Sequence, residues 1–290
     1  MILTPYYERD GITIYCGECS QVMAKFDPQS FDLTVTSPPY DNLRDYHGYT
    51  FDFDAIAAQL WRVTKKGGVV VWVVGDQTVN GSETGTSFRQ ALKFIDLGFR
   101  LHDTMIYETD KPPMNDRRYQ ACFEYMFVLS KSRPSRWNPI MIPSRQGGGK
   151  VTGTYRESDG SLKRRFHTRC VGVTKIKPSI WYIPGTGKNL GHPAVFPEAL
   201  ARDHIISWSN PGDLVLDPMC GSGTVGKMCV LTSRRFVGIE ISEKYCELAV
   251  RRIRDAQRQP SFWSLSTEPA QIEVAQQATM PLEKVDKSNI

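Results

Sequence analysis

The stretch from Leu214 to Glu240 leaves the chain few folds to choose from. Leu214-Val215-Leu216 is a short apolar run closing on Asp217, and Gly221-Ser222-Gly223-Thr224 then opens a helical run. About 20 residues on, Arg235-Phe236-Val237-Gly238-Ile239-Glu240-Ile241 reads as a second strand with a carboxylate near its end, where nucleoside-binding folds hold ribose hydroxyls. The glycines let a ligand approach the backbone at a helix N-terminus. The expectation is an α/β sheet with an adenosine-type cofactor at its edge.

A second loop, far away in sequence, makes the same kind of strand exit. Phe31 to Thr36 is apolar and strand-like, and it delivers Ser37-Pro38-Pro39-Tyr40. Two prolines fix φ and remove two backbone donors, which leaves the carbonyls of Ser37 and Pro38 beside a hydroxyl and an aromatic face. Such a loop accepts hydrogen bonds from an amino group and stacks a planar ring. The exocyclic amine of a nucleobase has both properties. Ligands gather at the carboxyl ends of strands in open α/β sheets, so the two loops are expected to face one crevice.

Other chemistries fit less well. Gly221 to Lys227 spells G-x-x-x-x-G-K, the start of a phosphate-binding loop, but Met228 stands where a magnesium-binding Ser or Thr is required. A covalent attack on cytosine carbon needs a Cys nucleophile, typically after a proline, and none of the seven cysteines follows one. Cys16-Gly17-Glu18-Cys19 has no second Cys or His pair, so it reads as reduced thiols and no metal is expected.

Taken in order, Ile12 to Tyr15 is a strand, Ser20 to Phe26 a short helix, and Phe53 to Lys65 a helix that Gly67-Gly68 ends. Val69 to Val74 is continuously apolar, the pattern of a buried parallel strand, and Asp76 at its end lies toward the same crevice. Thr86 to Leu97 reads as a helix stopped by Gly98, followed by strands at Leu101 to Tyr107 and Phe123 to Leu129. Glu198 to Trp208 and Ser242 to Ala256 are helical, the second with Arg251, Arg252 and Arg254 on its polar side. The fold class expected is α/β, a Rossmann-like doubly wound mixed sheet.

Charge is distributed unevenly. Between Lys131 and Pro178 twelve Lys and Arg face two acids, a balance of +10, which leaves −5 for the rest of a chain whose total is +5. That concentration is the footprint of a polyanion partner. Gly147-Gly148-Gly149 with Trp137, Tyr155 and Phe166 makes the segment a loop-rich insertion. Arg145, Arg156, Arg164 and Arg165 suit phosphate or guanine contact, and Arg44, Tyr46 and Tyr49 suit a loop that guards a vacated base stack. The N-terminus lacks an apolar signal core and no run is long enough to span a membrane, so a soluble cytoplasmic protein of bacterial or phage type is expected. Gln257 to Ile290 is polar and reads as an arm or disordered tail, in which Phe262-Trp263 would anchor on the core or on a second subunit.

Ser-Pro-Pro-Tyr together with Asp-Pro-Met-Cys-Gly-Ser-Gly-Thr resembles the β-group amino DNA methyltransferases that use S-adenosylmethionine, over about Gly11 to Arg254. The resemblance implies catalytic Ser37, Pro38, Pro39 and Tyr40. It implies cofactor contacts from Glu18, His192, Pro193, Phe196, Asp217, Met219, Gly221, Gly223, Thr224 and Glu240, with Met219 where the family often has Phe. It divides the chain into a catalytic half (11–130), a target-recognition insertion (131–178), a cofactor half (179–257) and a tail (258–290). The implied partner is double-stranded DNA, with room for a homodimer and a companion restriction endonuclease. Ser37 is the residue more often found in cytosine-N4 enzymes, while the extended Thr36 to Tyr46 stretch is closer to adenine-N6 enzymes, toward which the sequence leans. An RNA methyltransferase would keep every motif. A binding protein with a vestigial enzyme fold would have no use for both.

Overall fold

The structure, a computed structural model, describes residues 3–39, 51–109, 117, 119–145, 147–151, 153–164, 169–184 and 196–258. Tyr40, Arg44, Tyr46, Tyr49, Arg165, Phe166, His192, Pro193 and the tail beyond Arg258 lie outside them.

Among the described residues the chain begins with β1 (Tyr7–Arg9), β2 (Ile12–Cys16), α1 (Cys19–Met23), β3 (Phe31–Thr36), α2 (Phe53–Val63) and β4 (Thr64–Val74). A small hairpin of β5 (Thr78–Val79) and β6 (Ser82–Glu83) leads to α3 (Thr86–Asp96), β7 (Arg100–Glu108) and β8 (Phe123–Ser130). Six short strands follow: β9 (Met141–Pro143), β10 (Lys150–Val151), β11 (Thr154–Arg156), β12 (Leu162–Arg164), β13 (Arg169–Cys170) and β14 (Thr174–Ile176). The described chain closes with β15 (Ile180–Tyr182), α4 (Glu198–Trp208), β16 (Leu214–Asp217), α5 (Thr224–Leu231), β17 (Arg235–Glu240) and α6 (Glu243–Arg258).

Among the described residues nine strands form one sheet in the order β1-β2-β17-β16-β3-β4-β8-β7-β15. The five from β2 to β4 are mutually parallel, and β8 runs antiparallel between β4 and β7. The reason is visible in β4, where Val69 to Val74 are all buried. Val69, Val71 and Val73 point into a core shared with α4, α5 and α6, while Val70, Trp72 and Val74 point into one shared with α1, α2 and α3. A period of two with both faces apolar fits only a strand covered on both sides. The first half of the chain supplies one helical layer and the second half the other.

Gly67 and Gly68 do not end α2. They lie inside β4, which follows the helix directly, and Thr64 caps α2 with its hydroxyl on Leu60 O at 2.6 Å. A Cβ on Gly68 would come within 3.0 Å of Asp32 O, and the β3–β4 register shifts there between Phe31 and Leu33. The glycines serve close backbone approach between the strands.

The basic segment is ordered differently from a loop-rich insertion. Strands β9 and β14, β10 and β13, and β11 and β12 pair antiparallel, nested one inside the next, and these three pairs make a two-stranded ribbon whose innermost pair turns near Gly160. The flanking residues belong to the body. Lys131 lies over Trp61, Trp137 packs on Trp208 with ring centroids 4.7 Å apart, and Asn138 bonds backbone carbonyls of Ile206 and Ser209. On the returning strand, Lys177 reaches Asp203 at 3.0 Å and lies over Trp181.

Candidate functional site

The strand order reverses between β16 and β3, and that reversal makes the crevice. From β16 the chain continues to β17 on one side, and from β3 to β4 on the other, the strand order that opens a crevice between the carboxyl ends of β16 and β3. Because β2, β17, β16, β3 and β4 are parallel, one edge carries in that order Glu18, Glu240, Asp217, Ser37-Pro38-Pro39 and Asp76. Strand β15 also points this way, so its carboxyl end at Tyr182 lies on the same edge.

The two motif loops are joined directly. Thr36 Oγ1 donates to Asp217 Oδ1 at 2.8 Å in a fully buried contact, and Met219 N donates to the same oxygen at 3.2 Å. Burial pushes the Asp217 carboxyl up to about 7 despite those two donors, and the charge of Glu240 adds to the rise. Ser37 is half-buried beyond this link and Pro38 is buried.

Glu240 shapes the glycine loop from the neighbouring strand. Its Oε2 accepts from Gly221 N at 2.9 Å and its Oε1 from Ser242 N at 3.0 Å, while Cys220 N bonds Ile239 O at 2.9 Å. Burial raises the Glu240 carboxyl above its ordinary value against these hydrogen bonds. Gly221 and Gly223 sit at φ +49° and +74°, the left-handed region where glycine is at ease, and α5 starts at Thr224. Met219 and Phe196 are half-buried and pack against opposite faces of the sheet. Cys220 is held as a thiol by burial, with Asp217 and Glu240 adding to the effect, so the one cysteine in this loop is no nucleophile.

Two further carboxylates on the edge have local duties. Glu18 is the N-cap of α1, accepting from Ser20 N and Gln21 N, each at 2.8 Å, and from Ser20 Oγ at 2.6 Å. Burial would raise its carboxyl, but these bonds outweigh it and hold it below the usual range. Asp76 accepts from Ser87 N at 2.9 Å and from Ser87 Oγ, fastening the start of α3. Lys227 points away from the glycine loop to Glu198 at 2.7 Å, unlike the lysine of a phosphate-binding loop.

Away from the edge, Arg145 and Arg156 are exposed on the ribbon, Arg156 with one nitrogen on Gly160 O at 3.0 Å. Arg164 pairs with Thr154 across it. Nothing in the sequence marks Thr36 as the tie between the loops, because its partner is 181 residues away and only the strand order brings them together. The helical spacing puts Arg252 on the polar side of α6. Its side chain is instead turned inward, 12% exposed.

Comparison with known proteins places this geometry. A family model for N6/N4-type DNA methylase matches residues 31–251. The orphan methyltransferase M.BamHII of Bacillus amyloliquefaciens is 50% identical over 237 residues, covering 78% of this chain and 89% of that one. The structure of TTHA0409 from Thermus thermophilus, complexed with S-adenosyl-L-methionine, superposes with a TM-score of 0.60 at 26% identity, over 86% of this chain and 95% of that one. The PvuII cytosine-N4-specific DNA methyltransferase gives a TM-score of 0.64 at 20% identity over 87% and 93% of the two chains, a likeness of fold.

Proposed function

The chain belongs to the N6/N4 DNA methylase family of S-adenosylmethionine-dependent enzymes, and from that premise we propose that it methylates the exocyclic amine of a base flipped out of double-stranded DNA, adenine N6 in the first instance. The observation that carries this is the buried Thr36–Asp217 bond, which sets Ser37-Pro38-Pro39 and the glycine loop side by side on one edge.

The donor set fits the cofactor. S-adenosylmethionine supplies an electrophilic methyl group on a cationic sulfur. Glu240 at the end of β17 suits the ribose hydroxyls, Gly221, Gly223 and Thr224 leave a low wall at the start of α5, and Met219 and Phe196 offer apolar surface beside it. Glu18, His192 and Pro193 complete the seat in this reading, and the carboxyl of Asp217 becomes more acidic beside a positive charge.

On the other wall, Ser37 and the Pro38 carbonyl accept the amino hydrogens, drawing the nitrogen lone pair out of conjugation toward the methyl group. Pro39 keeps backbone donors away from that nitrogen, and Tyr40 stacks the base. Arg44 and Tyr46 hold the place the base has left, while Arg145, Arg156, Arg164 and Arg165 of the ribbon meet phosphates or guanine edges. Cytosine N4 is the second reading, favoured by serine at the first position of the catalytic motif.

The test is to incubate the full chain with plasmid DNA and methyl-labelled S-adenosylmethionine, digest to nucleosides and identify the labelled base by mass spectrometry. N6-methyladenosine is the expected product. N4-methylcytidine would move the assignment to the second reading, and label appearing only when RNA is supplied would overturn the DNA substrate.

A further inference from the structure

Helix α6 lies under the glycine loop and meets it at two points on one face. A Cβ on Gly223 would fall 2.7 Å from Ala249 Cβ, so the loop backbone already rests on the helix. Three residues further along, Arg252 Nη1 donates to Ser222 O at 2.7 Å, to Ser222 Oγ at 2.7 Å and to Thr224 Oγ1 at 3.1 Å. The peptide joining Ser222 to Gly223 is thereby pinned from both sides, because its carbonyl takes the guanidinium and its N–H donates to Cys220 O at 2.7 Å.

The other end of the guanidinium is fixed too. Arg252 Nη2 donates to Glu198 Oε1 at 3.0 Å, and Lys227 reaches the same oxygen at 2.7 Å. Burial would raise the Glu198 carboxyl, but Lys227 and Arg252 outweigh it and hold it below the ordinary range. Glu198 is the first residue of α4, directly after Phe196-Pro197. One side-chain cluster therefore joins the glycine loop to the start of α4.

We propose that Arg252 is a positioning residue for cofactor binding, setting the path of the Gly221–Thr224 loop, with Glu198 holding its guanidinium in place. The inference rests on the reading of that loop as the seat of S-adenosylmethionine. A general structural brace would lower stability and every activity together. A positioning residue moves the cofactor constants and leaves the rest.

The experiment measures binding of S-adenosylmethionine and S-adenosylhomocysteine by calorimetry to the full chain and to R252M, R252K and E198Q. Thermal melts, DNA affinity, kcat at saturating cofactor, and hydrogen exchange of the loop amides in the cofactor-free protein accompany it. R252M is expected to weaken both ligands about tenfold, R252K to recover part of the loss, and E198Q to weaken them about threefold. Loop amides should exchange faster, while DNA affinity and saturating kcat stay within about twofold. Unchanged cofactor affinity in R252M and E198Q overturns the proposal, as does a loss shared equally by cofactor affinity, DNA affinity and kcat. If R252M fails to fold, E198Q decides alone. A wild-type chain that binds neither ligand overturns the reading of the loop and the inference with it.

Discussion

The sheet edge and the ribbon divide the proposed work, and they are built on different terms. At the edge, Thr36, Asp217 and Glu240 are all buried, and each is fixed by hydrogen bonds from another strand or loop. On the ribbon, Thr154, Tyr155, Arg156, Leu162 and Lys163 are exposed and held by cross-strand pairing. Methyl transfer needs atoms placed to a fraction of an ångström, and burial with redundant hydrogen bonds supplies that. Phosphate contact needs charge and reach, and it tolerates backbone latitude. Changes at the edge should therefore move chemistry and cofactor binding, and changes on the ribbon should move DNA affinity and its salt dependence.

The largest effect expected is on the ribbon side. Replacing residues 150–170 by a short glycine turn removes six of the eight cationic side chains between Met141 and Ile176. DNA affinity at low salt should fall about a thousandfold and the salt slope should flatten, with cofactor affinity unchanged. Retained DNA affinity would show that the ribbon is not the contact surface. The mirror test is S37A, expected to lower kcat about a hundredfold with DNA and cofactor affinity intact. A variant of either kind that shifts both sets of constants would break the comparison.

The same contrast explains how much could be read in advance. The apolar run Val69 to Val74, the helix Glu198 to Trp208 and the strand beginning at Arg235 are legible because burial on a sheet or helix imposes a period on the sequence. The glycine loop and Ser37-Pro38-Pro39 are legible because their backbone demands restrict residue type. The ribbon has neither constraint. Most of its described side chains face solvent, so its strands carry no apolar alternation, and charge is the one signal it leaves. Gly67-Gly68 misleads for a related reason: glycine marks helix ends and tight strand contacts alike, and the neighbour that decides, Asp32, comes from another strand. Arg252 looks polar-faced because a sequence cannot show that a loop 30 residues away turns its carbonyl toward the helix.

Within the edge, T36V isolates the link between the loops. It keeps the shape of the side chain and removes the donor to Asp217, leaving a buried carboxylate whose Oδ1 still accepts from Met219 N. Stability should drop by about 1 to 2 kcal/mol in urea melts. Asp217, already pushed up to about 7, should rise further, so cofactor affinity in the variant should fall off at a higher pH than in the wild type. Identical stability and pH profiles would show that the two loops are set independently.

The smallest effect lies where the two regions meet. His204 on α4 is fully buried, its ring stacked 4.6 Å from Trp181, on the strand into which the ribbon returns, and its Nε2 lies 3.2 Å from Met126 Sδ. Burial pushes its pKa down to about 3, with Asp203 opposing and Lys177 adding to the fall. The imidazole is therefore neutral in the fold, whereas the unfolded chain takes up the proton below the ordinary value of 6.5. Since the unfolded state binds more protons at His204 in that window, the contribution of this residue to stability falls as pH drops from 6.5 toward 3. H204F keeps a ring against Trp181 and cannot titrate, so its urea-derived stability should fall less steeply over the same range than that of the wild type. Parallel curves would remove His204 from the account. Hydrogen exchange adds the spatial test: acid should loosen the wild-type amides of β15 before those of β16 and β17, because the ribbon's root leans on this ring and the cofactor edge does not.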